Sequence, residues 1–179
     1  EVVLAVPEDH VARVEAAGLD ARAVLPSFEE VGKATGLPDE EVVRRVLASG
    51  DFLMRRVLLP PLGDSVQRLL SITRGADALV ASNFTFAAPI AAERLTLPYA
   101  HVVLQPLSWF SPLDPPVVAG ARIFAPHGAG VLGRGWNRAL GAMLWIFARK
   151  RYGGMIDRVR RENGLGPTHR VPLLEPGTR

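Results

Sequence analysis

Short apolar runs alternate with amphipathic segments at the start of the chain. Residues 2–6 (VVLAV) and 20–25 (DARAVL) have the apolar, β-branched character of strands. Between them, residues 8–17 begin with acidic side chains and are followed by Gly18, which is typical of a helix. The order strand, helix, strand predicts two parallel strands joined by a helical crossover.

The same order recurs further along the chain. Residues 78–81 and 99–104 are typical of strands, and residues 84–95 between them are typical of a helix. Repeated units of this kind build an α/β fold, in which helices cover a parallel sheet. Ligands of open α/β sheets bind beyond the carboxyl ends of the strands, where this chain carries Asn83 and Gln105. We expect the ligand-facing surface there.

Residues 27–75, between the two crossovers, are mostly helical in pattern. Ser27 and Glu30 have the spacing of a capping box, which predicts the start of a helix. Pro60 and Pro61 predict a break between two further helical stretches, because proline disrupts a helix interior.

The last third of the chain predicts one irregular segment and two helical ones. Residues 117–134 are rich in glycine and have no clear period. Residues 136–152 place apolar side chains on one face of a helix. Gly153 and Gly154 are predicted to kink or interrupt it before the charged segment 155–163.

The composition is that of an ordinary globular protein, with 48% hydrophobic and 22% charged residues among 179. The absence of cysteine excludes disulfides and thiolate metal sites. No secretory signal and no apolar run of about 20 residues is visible, so we expect a cytoplasmic protein. Since the chain opens within an apolar run and stops without a closing element, we interpret residues 1–179 as one partial domain, truncated at both ends.

Charge is distributed unevenly. Residues 1–50 carry ten acidic and five basic side chains, a balance of −5, and the remainder carries eight acidic and sixteen basic, a balance of +8. Residues 134–161 hold eight Arg or Lys against one Asp. This segment can contact the inner membrane surface peripherally, or it can be the solvated face of a helix packed on its own domain. Nucleic acid is not an expected partner, because no recognition motif accompanies the charge.

The four histidines lack the spacing of a metal or catalytic cluster. His10 begins a helix and His101 lies within a strand, whereas His127 and His169 lie in loops. Residues 128–133 (GAGVLG) resemble a dinucleotide fingerprint only loosely, since they do not clearly follow a strand. No metal site and no bound cofactor is predicted.

Several phrases of the chain, in their order and spacing, resemble the N-terminal domain of GT-B glycosyltransferases, in the branch related to bacterial sterol, macrolide and flavonoid glucosyltransferases. Residues 1–7 resemble the end of that family's phrase GHEVTLATP, and residues 91–98 (AAERLTLP) are similar to its AEKLGIP run. The other matching phrases are GLDA, ADALVA, LQP and SPLDPP, at residues 18–21, 76–81, 104–106 and 111–116.

The resemblance implies a Rossmann-like parallel sheet flanked by helices, the acceptor-binding half of a GT-B fold without its first strand. It implies an enzyme that transfers a hexose from a nucleotide sugar, expected to be a UDP-sugar, to a hydroxyl of an apolar small molecule. That co-substrate is bound mainly by a C-terminal domain that residues 1–179 do not include. This chain alone is therefore expected to be inactive.

The resemblance also assigns site residues. The family's general base, a histidine after the first strand, precedes residue 1, so no catalytic residue is assigned. The position matching its partner aspartate is Asn83, which can orient an imidazole but carries no charge. From their position at the two strand ends and in the aromatic loop that follows, the expected acceptor-binding residues are Asn83, Phe84, Gln105, Ser108, Trp109 and Phe110.

Each of these assignments has a structural alternative. Asn83 is a favoured N-cap residue for the helix that follows, and both roles can coexist. Gln105 can simply bond the backbone, and Trp109 and Phe110 can fill the core rather than line a pocket. The alternative function is a non-catalytic α/β module that binds a small molecule or a membrane surface.

Overall fold

The computed structural model describes residues 1–103, 111–115 and 123–168. They form a mixed α/β structure with two pairs of parallel strands. The strands are β1 (Val3–Pro7), β2 (Asp20–Leu25), β3 (Leu79–Ser82) and β4 (Tyr99–Val102). The α-helices are α1 (Val11–Ala16), α2 (Phe28–Thr35), α3 (Asp39–Ala48), α4 (Gly50–Phe52), α5 (Leu62–Ile72), α6 (Ala87–Leu95) and α7 (Val131–Glu162).

β1 and β2 form a parallel pair joined by a 3-10 turn, Glu8–His10, and by α1. Val3 lies opposite Asp20, and the register shifts between Val6 and Pro7. Proline has no backbone N–H to donate, so it is tolerated at an irregular strand end. The predicted strand at residues 20–25 is confirmed, and β1 begins and ends one residue later than the predicted strand at residues 2–6.

The capping box predicted at the start of α2 is confirmed. The Ser27 hydroxyl accepts a hydrogen bond from the Glu30 backbone N–H at 3.1 Å, and the Glu30 carboxylate accepts one from the Ser27 N–H at 3.0 Å. The Asp9 carboxylate accepts a further bond from the Phe28 N–H at 2.7 Å. Three N–H groups that a helix start leaves unbonded are thus satisfied.

The helical break predicted at Pro60 and Pro61 is confirmed, since α5 begins directly after Pro61. The segment before the prolines is a π-helical turn, Leu53–Leu58, rather than a regular α-helix. Its wider winding is seen in the bond from the Leu59 N–H to the Met54 carbonyl at 2.9 Å, a separation of five residues.

Helices α5 and α6 pack against each other through apolar side chains. The alanines of α6 are small enough to let the two backbones approach, and larger side chains fill the space between. The residues at most 2% exposed are Leu62, Val66 and Leu69 of α5 and Ala87, Ala88, Ile90 and Ala91 of α6. Helix α6 ends at Leu95, and the residue after it, Thr96, has a left-handed φ of 55°.

Contacts within the chain group it into two compact units. One consists of Glu1–Leu79 and Phe86–Ala100, and the other of Val80–Thr85 and His101–Arg179. The first unit contains β1, β2 and helices α1 to α6, and the second contains α7.

Helix α7 runs for 32 residues without the interruption predicted at Gly153 and Gly154. It also begins earlier than predicted, so the expected irregular structure at residues 131–134 is wrong. The Arg149 side chain lies over Gly153 and forms an ion pair with Asp157. These three residues are spaced four apart, so they share one face of the helix and bridge the glycine.

The start of α7 is tied to the preceding loop by two neighbouring side chains. Asn137 is 1% exposed; its Oδ1 accepts from the Ala125 N–H at 2.8 Å, and its Nδ2 donates to the carbonyls of Pro112 and Ala125 at 3.1 Å. The Trp136 indole N–H donates to the Ile123 carbonyl at 2.8 Å. These bonds span 12 to 25 residues of sequence and fix the loop to the helix.

Candidate functional site

The carboxyl end of β3 is closed by a tight turn around Asn83. The Asn83 backbone N–H donates to the Val102 carbonyl of β4 at 3.2 Å, and the Thr85 N–H donates to the Ser82 carbonyl at 3.1 Å. The hydroxyls of Ser82 and Thr85 lie 3.3 Å apart. Asn83 is 2% exposed, so a polar amide is buried where a parallel strand ends. In α/β folds this is where ligands are commonly bound.

Asn83 does not cap the helix that follows, and this part of the sequence prediction is wrong. Helix α6 begins at Ala87, and the residue in the N-cap position is Phe86, which makes no side-chain cap bond. The turn after β3 occupies residues 83–86 and delays the helix by three residues relative to the predicted start at Phe84. The burial of Asn83 therefore has no explanation in helix capping.

The structure places two of the six predicted acceptor-binding residues. Asn83 is buried and Phe84, the next residue in the turn, is partly buried. Gln105, Ser108, Trp109 and Phe110 lie outside the described residues, so their grouping with Asn83 stays a prediction.

The described histidines are dispersed. His101 is partly buried in β4. His127 lies 3.7 Å from the Asp114 carboxylate, and both side chains are about four-fifths exposed, at 80% and 79%. Among the residues that the structure describes, no group of three or more His, Asp or Glu side chains is arranged to hold a metal ion.

The end of α7 carries a carboxylate in a shifted electrostatic environment. Burial disfavours the charged form of Asp157, but hydrogen bonds from Arg149 and from the Thr168 N–H outweigh it. Together with the positive charges of Arg149 and Arg160, they hold the pKa of Asp157 below its usual value. Arg160, 6% exposed, donates to the Gly166 carbonyl at 2.7 Å. This cluster secures the chain after the helix.

An exposed apolar stripe runs along the first half of α7. Its members fall on one face at helical spacing and are between 48% and 91% exposed. Three of them, Trp136, Met143 and Phe147, belong to the apolar face predicted from the sequence, whose other members, Leu140 and Leu144, are partly buried. We call this set the α7 stripe: Leu132, Trp136, Met143, Ile146 and Phe147.

The helix that carries the α7 stripe is basic. The sequence contains no acidic residue between Asp114 and Asp157, whereas Arg134, Arg138 and Lys150 lie exposed on α7. Within the described residues, no helix is both long enough and apolar enough to pass through a bilayer.

The first unit contains a pocket of about 270 Å³ that no pattern in the sequence predicts. Its apolar wall includes Val24 and Pro26 at the carboxyl end of β2, Val31 of α2 and Val57 of the π-helical turn. The separate segments were predicted from capping and proline signals, but nothing in the sequence shows that they converge. A pocket beyond the end of a parallel strand is the usual position for a ligand in an α/β fold.

The polar lining of this pocket comes from the π-helical turn and from α5. Arg56 and Arg68 line it, and neither guanidinium has an ion pair or hydrogen bond with any described residue. Ser65, 3% exposed, also lines it, and its hydroxyl has no hydrogen bond to any described residue. Two carboxylates, Glu30 and Asp64, complete the lining, so the four charges sum to zero (+2 and −2).

Comparison of the chain with models of known protein families gives no match, and comparison with curated proteins gives no significant one.

Proposed function

We propose that this chain is the acceptor-binding lobe of a GT-B glycosyltransferase, in which a hexose passes from a UDP-sugar to a hydroxyl of an apolar small molecule. The observation that carries the proposal is the buried amide of Asn83 at the carboxyl end of β3, within a parallel strand–helix–strand unit. It is supported by the ordered phrases that resemble this family. Under this proposal the fold is Rossmann-like, and the nucleotide sugar binds to a second lobe.

The reaction of the complete enzyme would be a nucleophilic substitution at the anomeric carbon of the sugar. A base removes the proton of the acceptor hydroxyl, and the oxygen attacks the anomeric carbon of the sugar. The bond between that carbon and the UDP oxygen breaks, and UDP leaves with the negative charge. Asn83 can orient the acceptor or the base through its amide, but it cannot stabilise a protonated imidazole as an aspartate would.

The test is a transfer assay on the full-length gene product with UDP-sugars and a set of flavonoid, macrolide and sterol alcohols. We expect release of UDP and a product heavier by one hexose. Asn83→Ala should raise KM for the acceptor about tenfold, because a buried hydrogen-bonding group is lost. Asn163→Ala, at the end of α7, is the control and should leave KM unchanged.

Two results would contradict the proposal. One is a full-length protein that neither binds nor consumes any nucleotide sugar. The other is an Asn83→Ala variant, folded by its circular dichroism spectrum, whose acceptor KM equals that of the wild type. If Asn83→Ala fails to fold, Asn83→Asp retains the size of the side chain and is measured in its place.

The second candidate function is peripheral binding to an anionic membrane, and it is favoured by the α7 stripe. Aromatic and aliphatic side chains exposed on a helix that also carries Arg134, Arg138 and Lys150 match the chemistry of an interfacial helix, whose apolar side enters the lipid while its cations face the headgroups. The complementary charge commits this surface to anionic rather than neutral lipid.

Sedimentation with vesicles tests this candidate. Vesicles containing phosphatidylserine should carry down the protein, and phosphatidylcholine vesicles or high salt should release it. Phe147→Ser should lower the partition coefficient at least about tenfold, because it removes a large exposed apolar side chain that would enter the lipid. Leu47→Ser is the matched control, since Leu47 is equally apolar and 83% exposed on α3. Equal binding by Phe147→Ser and wild type would exclude this role.

A further inference from the structure

The pocket of about 270 Å³ beyond the carboxyl end of β2 has the features of a ligand site. Its volume is close to the lower limit of small-molecule sites, about 300 Å³, so a compact ligand the size of a single ring fits it. Its walls are mainly apolar, from β2, α2 and the prolines before α5, with a few polar residues in the lining. Most small-molecule sites share this combination.

Ser65 adds a hydroxyl to the wall of the pocket. The residue is 3% exposed, it lines the pocket, and its hydroxyl has no hydrogen bond to any residue within the described ranges. A hydroxyl at a pocket surface can donate a hydrogen bond to a ligand oxygen.

The two arginines determine the charge of that ligand. Arg68 follows Ser65 by three positions and so lies on the same side of α5, and Arg56 comes from the π-helical turn. Neither guanidinium is paired within the described part of the chain. A guanidinium binds carboxylate or phosphate oxygens through two parallel N–H donors. The start of α5, at the pocket wall, adds the positive end of a helix dipole.

The two carboxylates of the lining do not remove this preference. Glu30 already accepts a hydrogen bond as part of the capping box of α2. Asp64 lies in the first turn of α5, where the helix dipole favours a negative charge. Asp64 is therefore the single carboxylate of the pocket that competes with a ligand for the arginines, and its removal should strengthen anion binding.

The π-helical turn supports the same conclusion independently. Short π-helical turns are rare and occur frequently at functional sites. Here the turn, Leu53–Leu58, brings Arg56 and Val57 to the pocket. One of these side chains is cationic and the other apolar.

We propose that this pocket binds a small apolar molecule carrying one anionic group, a carboxylate or a phosphate, with the anion held by Arg56, Arg68 and the Ser65 hydroxyl. The proposal does not depend on glycosyl transfer, because it concerns a pocket formed wholly by residues 24–68. A protein that transfers no sugar can still bind the anion, and the reverse also holds.

Calorimetric titration of the 179-residue chain tests the proposal with three probes of similar size: benzoate, phenyl phosphate and the neutral benzamide. We expect saturable binding of one molecule of benzoate or phenyl phosphate, and which of the two binds identifies the anionic group. Benzamide should bind at least about tenfold more weakly, because it lacks the charge-assisted hydrogen bonds.

Two adjacent arginines provide a matched pair of variants. Arg56→Gln and Arg68→Gln should each weaken anion binding about tenfold or more. Arg55→Gln removes the same charge from an exposed neighbour that does not line the pocket, and it should change the affinity by no more than about twofold. Asp64→Asn should strengthen binding roughly twofold by removing a like charge.

The serine gives a second pair of variants. Ser65→Ala should weaken binding several-fold, whereas Ser71→Ala, on the exposed side of the same helix, should not. The proposal is overturned if Arg55→Gln weakens binding as much as Arg56→Gln. It is also overturned if benzamide binds as tightly as the anions, or if neither anion binds saturably. Thermal melting of each variant shows that the fold is retained.

Discussion

Helices α5 and α6 are held together by apolar side chains, whereas α7 is attached to its surroundings by both polar and apolar ones. In the α5–α6 pair the residues at the contact are almost fully buried and carry no polar atoms in their side chains. In α7 the buried set combines Asn137 and Arg160 with Ala148, Ile156 and Val159, and large apolar side chains of the α7 stripe remain exposed. The first arrangement depends on area removed from water, and the second depends in addition on hydrogen bonds to particular backbone groups.

The difference shows that an apolar helix face is not always buried in this molecule. The first half of α7 leaves the α7 stripe in solvent, and the amide of Asn137 fixes the preceding loop to it. The two regions should therefore respond differently to truncation of apolar side chains, to loss of single amides and to pH.

Leu69→Ala tests the apolar contact of α5. Leu69 is 1% exposed, and its truncation should leave a cavity and lower the free energy of unfolding by about 3 kcal/mol. Urea denaturation measures the change. Leu47→Ala, at an 83% exposed position on α3, should change it by less than about 0.5 kcal/mol. Similar losses at both positions would show that the packing of α5 and α6 contributes no special stability.

Asn137→Ala tests the polar attachment of α7. It leaves the Ala125 N–H and the carbonyls of Pro112 and Ala125 without their partner, so the free energy of unfolding should fall by about 2 kcal/mol. Arg138→Ala, at the exposed neighbouring position, is the control in the same urea experiment. A loss no larger than that of the control would mean that the loop is fixed by other contacts.

Asp157→Asn tests the electrostatic cluster at the end of α7. Because the pKa of Asp157 is lower in the folded chain than in the unfolded one, its ionised form stabilises the fold above the unfolded pKa of about 3.9. That contribution, on the order of 1 kcal/mol, is lost as the pH falls through the folded pKa. Urea midpoints measured above and below about pH 4 should therefore fall more steeply for wild type than for the variant.

The control for this pH experiment is Asp114→Asn. Asp114 is 79% exposed, and its replacement should leave the pH profile close to that of the wild type. Parallel profiles for wild type and Asp157→Asn would contradict a stabilising role for the ion pair with Arg149.

The smallest effect is expected at the two glycines within α7. Gly154→Ala has open space for the added methyl group and should raise the free energy of unfolding by up to about 1 kcal/mol, since alanine favours helix. At Gly153 the added methyl would meet the Arg149 side chain, which must move away from Asp157. Gly153→Ala should therefore stabilise less, and thermal melting of both variants measures the difference. Equal gains would show that Arg149 moves without cost.

Signals confined to a few neighbouring residues predicted local structure well. The strand at residues 20–25, the capping box of Ser27 and Glu30, and the break at Pro60 and Pro61 all agree with the structure. Each depends on groups that lie next to one another in sequence, such as a hydroxyl and an N–H three residues apart. Bonds between such close neighbours form largely independently of the rest of the chain.

Features that depend on a particular side-chain contact or on distant residues were not predicted. Gly153 and Gly154 suggested an interruption, but the side chain of Arg149 reaches along the helix to Asp157. The burial and hydrogen bonds of Asn137 were not predicted, because its partners lie 12 and 25 residues away in the sequence. The pocket at β2 joins four segments, and the turn around Asn83 replaces the expected cap. The Rossmann-like sheet and the acceptor site remain proposals that rest on resemblance and on Asn83.

The backbone conformation of Thr96 identifies a position where the stability of the protein can be raised by substitution. The left-handed backbone conformation at this position is strained for a β-branched residue, whereas glycine adopts the same angles without steric conflict. Thr96→Gly is therefore a first substitution to make where a more stable protein is needed for crystallisation. The relief of steric strain in the folded state offsets the greater conformational freedom that glycine has in the unfolded chain.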